Sequence, residues 1–138
     1  MLERHIDQIE VHLGQALRRD ATRCGLREAT ARVLLALEAE DALPMQRIAE
    51  RLGRDPSTAT RFVDRAEADG HVLRVAGDSD RRKRWVRLTP AGLAQRQALM
   101  DVRAQRLRNV EAALEQATGL GSSQVEWFVQ ALTQAVGT

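Results

Sequence analysis

Two groups of residues in this chain carry the chemistry of a surface that meets a polyanion. The first is Arg81, Arg82, Lys83 and Arg84, four consecutive cations inside "DSDRRKRWVRLTPAG". A thin cationic tip of this kind can follow a phosphate backbone or enter a minor groove. The second is Ser57, Thr58, Thr60, Arg61 and Arg65, inside "RDPSTATRFVDRAEADG". Short hydroxyl side chains can approach a phosphate or a base edge, and the threonine methyl suits thymine. Arginine is long enough to reach guanine O6 and N7 with two hydrogen bonds.

The charge is local. The 138 residues have a formal net charge of only +2. Between Arg47 and Arg87 there are 11 basic and 7 acidic residues, a local +4, which leaves 10 basic and 12 acidic elsewhere, about −2. A middle segment richer in cations than its flanks suits a polyanion partner, although a solvated charged face has the same composition.

These residues need elements to hold them. Asp55 as N-cap and Pro56 at the first helical position start a helix that ends near Gly70. Ala59, Phe62, Val63 and Ala66 line one face of it and leave Ser57, Thr58, Arg61 and Arg65 for another. Ahead of it, "MQRIAERLG" reads as a short helix closed by a left-handed Gly53. "HVLRV" and "RWVRL" alternate and read as two short strands joined by "AGDSDRRK". Earlier helices are expected over residues 2–20 and roughly Glu28 to Glu40, the latter with Ala31, Leu34, Leu35 and Ala39 on its apolar face. Thr89 and Pro90 open a long helix to about Ala117. After "TGLGSS", Ser123 and Glu126 have capping-box spacing for a last helix.

Two helices joined by "GRD", with small Ala49 at their crossing, have the helix-turn-helix pattern. A two-stranded ribbon directly after it makes a winged helix. Within the ribbon, Arg74 and Asp80 are expected to shape the tip, with Asp80 paired to a neighbouring arginine, Arg74 or Arg82. The fold class is therefore mainly α (α+β), a winged helix-turn-helix with N- and C-terminal dimerisation helices.

The order Ile48-Ala49, Ser57-Thr58-Ala59-Thr60-Arg61, Gly70, Arg74, Asp80-Arg81-Arg82, Leu88-Thr89 and Gly92 resembles the MarR family of bacterial transcription regulators. In motifs the resemblance spans about residues 26–92. In helix order it covers residues 1–138 as a single domain, with about 1–20 and 93–138 as dimerisation helices. It implies a homodimer that binds a pseudo-palindromic operator on double-stranded DNA, and in many members a small molecule that releases the DNA. The chain departs from the family at Arg27, where Thr or Ser commonly opens a helix, and at Pro44 and Met45.

For the dimer, Leu2, Ile6, Ile9 and Leu13 form a narrow seam with steps of three and four. Leu107, Val110, Leu114, Phe128, Val129 and Leu132 offer a second apolar surface. An effector, if there is one, is expected to be apolar or weakly anionic. Cys24 is the single cysteine, which fits a reducing cytoplasm. Arg23 and Arg27 could lower its thiol pKa, but no tyrosine is present to hold a thiolate, and we read the thiol as inert. His5 and His12 are seven apart, outside the usual helical metal spacing, so no metal is expected, and no cofactor. No phosphate loop or nucleophile motif marks an enzyme. The N-terminus lacks the apolar stretch of a secretory signal. The competing class is a dimeric helical interaction protein whose basic hairpin holds acidic partners or coats DNA without regard to sequence.

Overall fold

The computed structural model describes residues 2–39, 42–77 and 84–136, with six helices and three strands among them. The chain divides into two compact units, Met1–Val102 and Arg103–Thr138.

In the first unit the order is α1 (Leu2–Arg23), α2 (Glu28–Ala36), β1 (Leu43–Pro44), α3 (Met45–Leu52), α4 (Pro56–Ala68), β2 (Val72–Ala76) and β3 (Arg84–Leu88), followed by the first part of α5 (Pro90–Thr118). Its core is aliphatic. Leu34, Leu37, Ile48, Val63, Val72, Val86 and Leu99 are fully buried, so helices, sheet and the start of α5 share one apolar centre. Within α4, Ala59, Val63 and Ala66 are fully buried at helical spacing. That spacing turns the opposite face of α4 outward.

Three features differ from the expectation. Helix α2 stops at Ala36 rather than near Glu40, and Leu37 is extended with φ −96° and ψ 138°. Two arginines from distant elements take its last carbonyls. Arg51 donates to Ala36 O at 2.8 Å, and Arg96 Nε donates to Leu34 O at 3.1 Å and Leu37 O at 2.8 Å. Such tertiary capping ends a helix where no Gly or Pro marks the place. Ala39 is consequently exposed, while Val33 and Leu37 complete the buried face.

The ribbon is a three-stranded sheet of order β1-β3-β2. Its extra strand is the two-residue β1, antiparallel to β3 with Leu43 opposite Val86 and Pro44 opposite Trp85. Two residues cannot display alternation, and Pro44 is tolerated because β1 is an edge. Strands β2 and β3 pair antiparallel with Val72 opposite Leu88 and Ala76 opposite Arg84.

Gly53, at φ 62° and ψ 33°, closes α3 in the left-handed region. Its N–H and that of Arg54 return to the last turn of α3, which satisfies carbonyls and reverses the chain into α4. Thr89 caps α5, as its hydroxyl accepts from Gly92 N at 2.9 Å and donates to Gly70 O at 2.7 Å. The cap therefore also ties α5 to the end of α4.

In the second unit the remainder of α5 is followed by α6 (Ser122–Val136). The α6 cap lies two residues ahead of the expected one. Gln124 and Val125 donate backbone N–H groups to Gly121 O, and the Gln124 side-chain oxygen accepts from Gly121 N at 3.0 Å. Ser123 and Glu126 are not the pair that closes it.

Candidate nucleic-acid interface

The site is built on α4. Asp55 caps it from an extended conformation, φ −62° and ψ 154°, with Pro56 as the first helical residue. The cap gives the Thr58 N–H an acceptor that the helix itself cannot supply, and proline's fixed φ suits the first helical position. Ser57, Thr60, Arg61 and Arg65 are exposed, and Thr58 is half-buried. Ser57, Arg61 and Arg65 recur every four residues and so form one stripe. Five of the residues singled out from the sequence thus share the first three turns of one helix.

Local hydrogen bonds fix several of these side chains. The Asp55 carboxylate accepts from Thr58 N at 3.0 Å, from the Thr58 hydroxyl at 2.7 Å and from the Ser57 hydroxyl. These bonds, Ser57 first and Thr58 next, hold the Asp55 carboxyl well below the usual carboxylate range. The Thr60 hydroxyl donates to Pro56 O at 2.8 Å. Arg61 donates to Thr58 Oγ1 at 3.4 Å.

Arg74 of β2 binds α4. Its guanidinium pairs with Asp64 at 2.5 Å and with Glu67, and its backbone N–H donates to Glu67 Oε1 at 3.3 Å. Its side chain is only 19% exposed. A planar fork that meets two carboxylates one turn apart fixes the sheet against the helix. Arg84 and Arg87 are exposed on β3. Asp80, Arg81, Arg82 and Lys83 lie outside the described residues, and with them the expected Asp80 pairing.

Arg74→Met is expected to cost about 1–3 kcal/mol in denaturant unfolding, because it leaves Asp64 and Glu67 facing each other without a cation. Adding Glu67→Gln to that variant should restore part of the loss. No recovery in the double variant would show that Arg74 acts through packing alone.

Sequence reasoning missed Arg27. It is the residue before α2 and makes no side-chain cap bond, which leaves it exposed beside α4. It shares an open cleft of about 670 Å³ with Arg61, Arg65, Asp64 and Asp69. Nothing local in the sequence joins Arg27 to Arg61; only the fold does. The acidic partners of Arg74 were equally invisible, because i to i+7 and i to i+10 contacts need the turn at Gly70 to be known.

Cys24 is half-buried. Burial first and Asp20 second push its thiol pKa up, and Arg23 only partly opposes them. The balance runs against the lowering that Arg23 and Arg27 suggested. A raised pKa means less thiolate at neutral pH. Alkylation by iodoacetamide at pH 8 should therefore be slower than that of a free cysteine, with its inflection at higher pH. An inflection below that of free cysteine would contradict this. Among the described residues, no group of three or more His, Cys, Asp or Glu side chains is placed to hold a metal ion.

Comparison with known proteins bears on this arrangement. Residues 26–83, which run from the start of α2 into the hairpin, match the family model described as MarR family. This segment belongs to the MarR family. A MarR-family transcriptional regulator from Silicibacter pomeroyi is 29% identical, with TM-score 0.63, covering 95% of this chain and 84% of that one. Wild-type MarR from E. coli, in its apo form, superposes with TM-score 0.72 at 21% identity, over 98% of this chain and 96% of that one. A mutant of S. aureus MepR, solved bound to an oligodeoxyribonucleotide, superposes with TM-score 0.64 at 16% identity, over 99% and 96%. No curated protein matches the chain. The MarR-type winged helix accounts for the helix order and the antiparallel sheet, and the family and its structural neighbours are regulators rather than enzymes. No helix among the described residues is long and apolar enough to cross a membrane.

Proposed function

We propose that this protein is a sequence-specific, DNA-binding repressor that acts as a homodimer on a pseudo-palindromic operator. The observation that carries this reading is the outward face of α4. Ser57, Thr60, Arg61 and Arg65 lie together on a capped, rigid helix, with the cationic hairpin strand β3 in the same unit. Such a face fits a major groove, with Arg61 on a guanine and the wing cations Arg81, Arg82, Lys83 and Arg84 on phosphates or in the minor groove.

Support for the dimer comes from the second unit. Leu107 is 55% exposed, Leu132 50% and Phe128 45%, and Val129 is exposed with them. Leu107, Val110 and Leu114 line a groove of about 590 Å³ with Val125 and Val129. Several large apolar side chains exposed together in one unit support the reading of this surface as a protein interface. The side chains of Leu2, Ile6, Ile9 and Leu13 lie outside the described residues.

Support for an effector is chemical. An open cleft of about 320 Å³ in the first unit is lined by Leu17, Leu35 and Leu52 together with Arg32, Arg51 and Arg96. Its lining is mixed, with the Glu38 carboxylate also present and Arg32 paired to Glu28 at 2.8 Å, so the excess of guanidinium over carboxylate is what would suit a small organic acid. Two of those guanidiniums hold the end of α2, so an anion that drew them away would loosen the capped end of that helix.

The test is titration of duplex DNA at several salt concentrations, comparing a sequence selected by the protein with a scrambled one. The proposed function requires discrimination of at least about a thousandfold at moderate salt. Equal affinity for both duplexes, with an equal salt slope, would favour the basic hairpin as a nonspecific anchor for DNA or an acidic protein.

A further inference from the structure

Asp55 does more than end the turn before α4. Its two carboxylate oxygens collect the hydroxyls of both Ser57 and Thr58 in addition to the Thr58 N–H. An ionised carboxylate has no proton to give, so each hydroxyl that meets it must be the donor. A hydroxyl carries a single hydrogen. Once that hydrogen points inward, only lone pairs remain on the outside. Thr60 is in the same condition, because its hydrogen is taken by Pro56 O.

We propose that Asp55 is a specificity-determining positioning residue, which turns the Ser57 and Thr58 hydroxyls into acceptors only, so that the bases they meet are selected for an exocyclic amine. In the major groove that amine belongs to adenine N6 or cytosine N4, whereas guanine O6 and N7 and thymine O4 are acceptors and repel a lone pair. A phosphate oxygen is an acceptor as well, so these hydroxyls do not serve as phosphate clamps. Arg61, which has donors only, takes the opposite class of base, and its contact with Thr58 Oγ1 uses one of the lone pairs that Asp55 leaves free. A face with fixed acceptors beside fixed donors reads a pattern, where freely rotating hydroxyls would read little. This inference rests on α4 as the helix that reads DNA.

Asp55→Ser separates this role from capping. Serine is as good an N-cap as aspartate, so the melting temperature should stay close to that of the wild type. It cannot hold both neighbouring hydroxyls, so their hydrogens are released. The probe is a pool of random-sequence duplexes, from which bound sequences are selected with the wild type, Asp55→Ser and two variants that remove an acceptor, Ser57→Ala and Thr58→Val. The last two locate the base positions each hydroxyl meets. At those positions the wild type should prefer adenine or cytosine by about fivefold or more, and Asp55→Ser should lose most of that preference while retaining guanine opposite Arg61. Asp55→Asn, a second good cap, should disturb the Thr58 position and spare that of Ser57. Asp55→Ser with unchanged preferences, or with the same proportional loss on every duplex, would overturn the inference and leave Asp55 a cap. A wild type that selects no sequence would overturn the DNA reading and this inference with it.

Discussion

Gly92→Ala should be severely destabilising, and it is the one described glycine whose added Cβ would meet backbone. A Cβ built on Gly92 falls 1.8 Å from His71 O and 2.8 Å from His71 C. Both are backbone atoms, so no side chain can swing aside. The carbonyl is also held, because it accepts from Thr89 N at 3.0 Å. Start of α5 and end of α4 must therefore separate, which undoes the Thr89 bond to Gly70 O. Overpacking against rigid backbone at a buried position is expected to cost about 3 kcal/mol or more. Gly14 is the internal control. It lies within α1 with no atom near its added Cβ, and Gly14→Ala should stabilise by roughly 0.5–1 kcal/mol. Denaturant midpoints of the two variants should move in opposite directions. If both move upward, the close crossing of α5 over His71 is wrong.

The second large effect concerns reading. Arg61→Ala should cost roughly 1–3 kcal/mol per half-site, and a two-fold dimer incurs that cost twice. Arg61 is exposed and outside the core, so the folded state should keep its stability. The loss should be concentrated at one symmetric pair of base positions, where preference relaxes. Equal weakening on all sequences, together with a salt slope lower by about one per subunit, would make Arg61 a phosphate clamp. Thr58→Ala should cost less than Arg61→Ala, because the threonine is half-buried and contributes a single oxygen.

The parts of the fold carried by local chemistry were legible in advance. Asp55 with Pro56, Gly53, and Thr89 with Pro90 are signals confined to two or three residues, and each has the predicted conformation. The outward face of α4 followed from the spacing of Ala59, Val63 and Ala66. What the sequence hid was tertiary. The end of α2 is set by Arg51 and Arg96, 15 and 59 residues from the carbonyls they bind. Strand β1 exists because β3 pairs with it, and no periodicity fits into two residues. Arg74 offered several acids within reach, and only the packing of β2 on α4 selects Asp64 and Glu67. Arg27 joined the site through the fold, with no motif to announce it. The hydroxyl polarity imposed by Asp55 was implicit in "DPST", but it needs a geometry in which one carboxylate meets both side chains.

In the proposed dimer, two copies of α4 read sequence in successive major grooves. Selection of bound duplexes from a fully random pool tests it most directly. The expected outcome is enrichment of one inverted repeat whose half-sites are centred about 10 base pairs apart, with guanine at the pair of positions that Arg61→Ala relaxes. Recovery of unenriched sequence after repeated rounds, from a protein that nevertheless retains DNA at low salt, would contradict it.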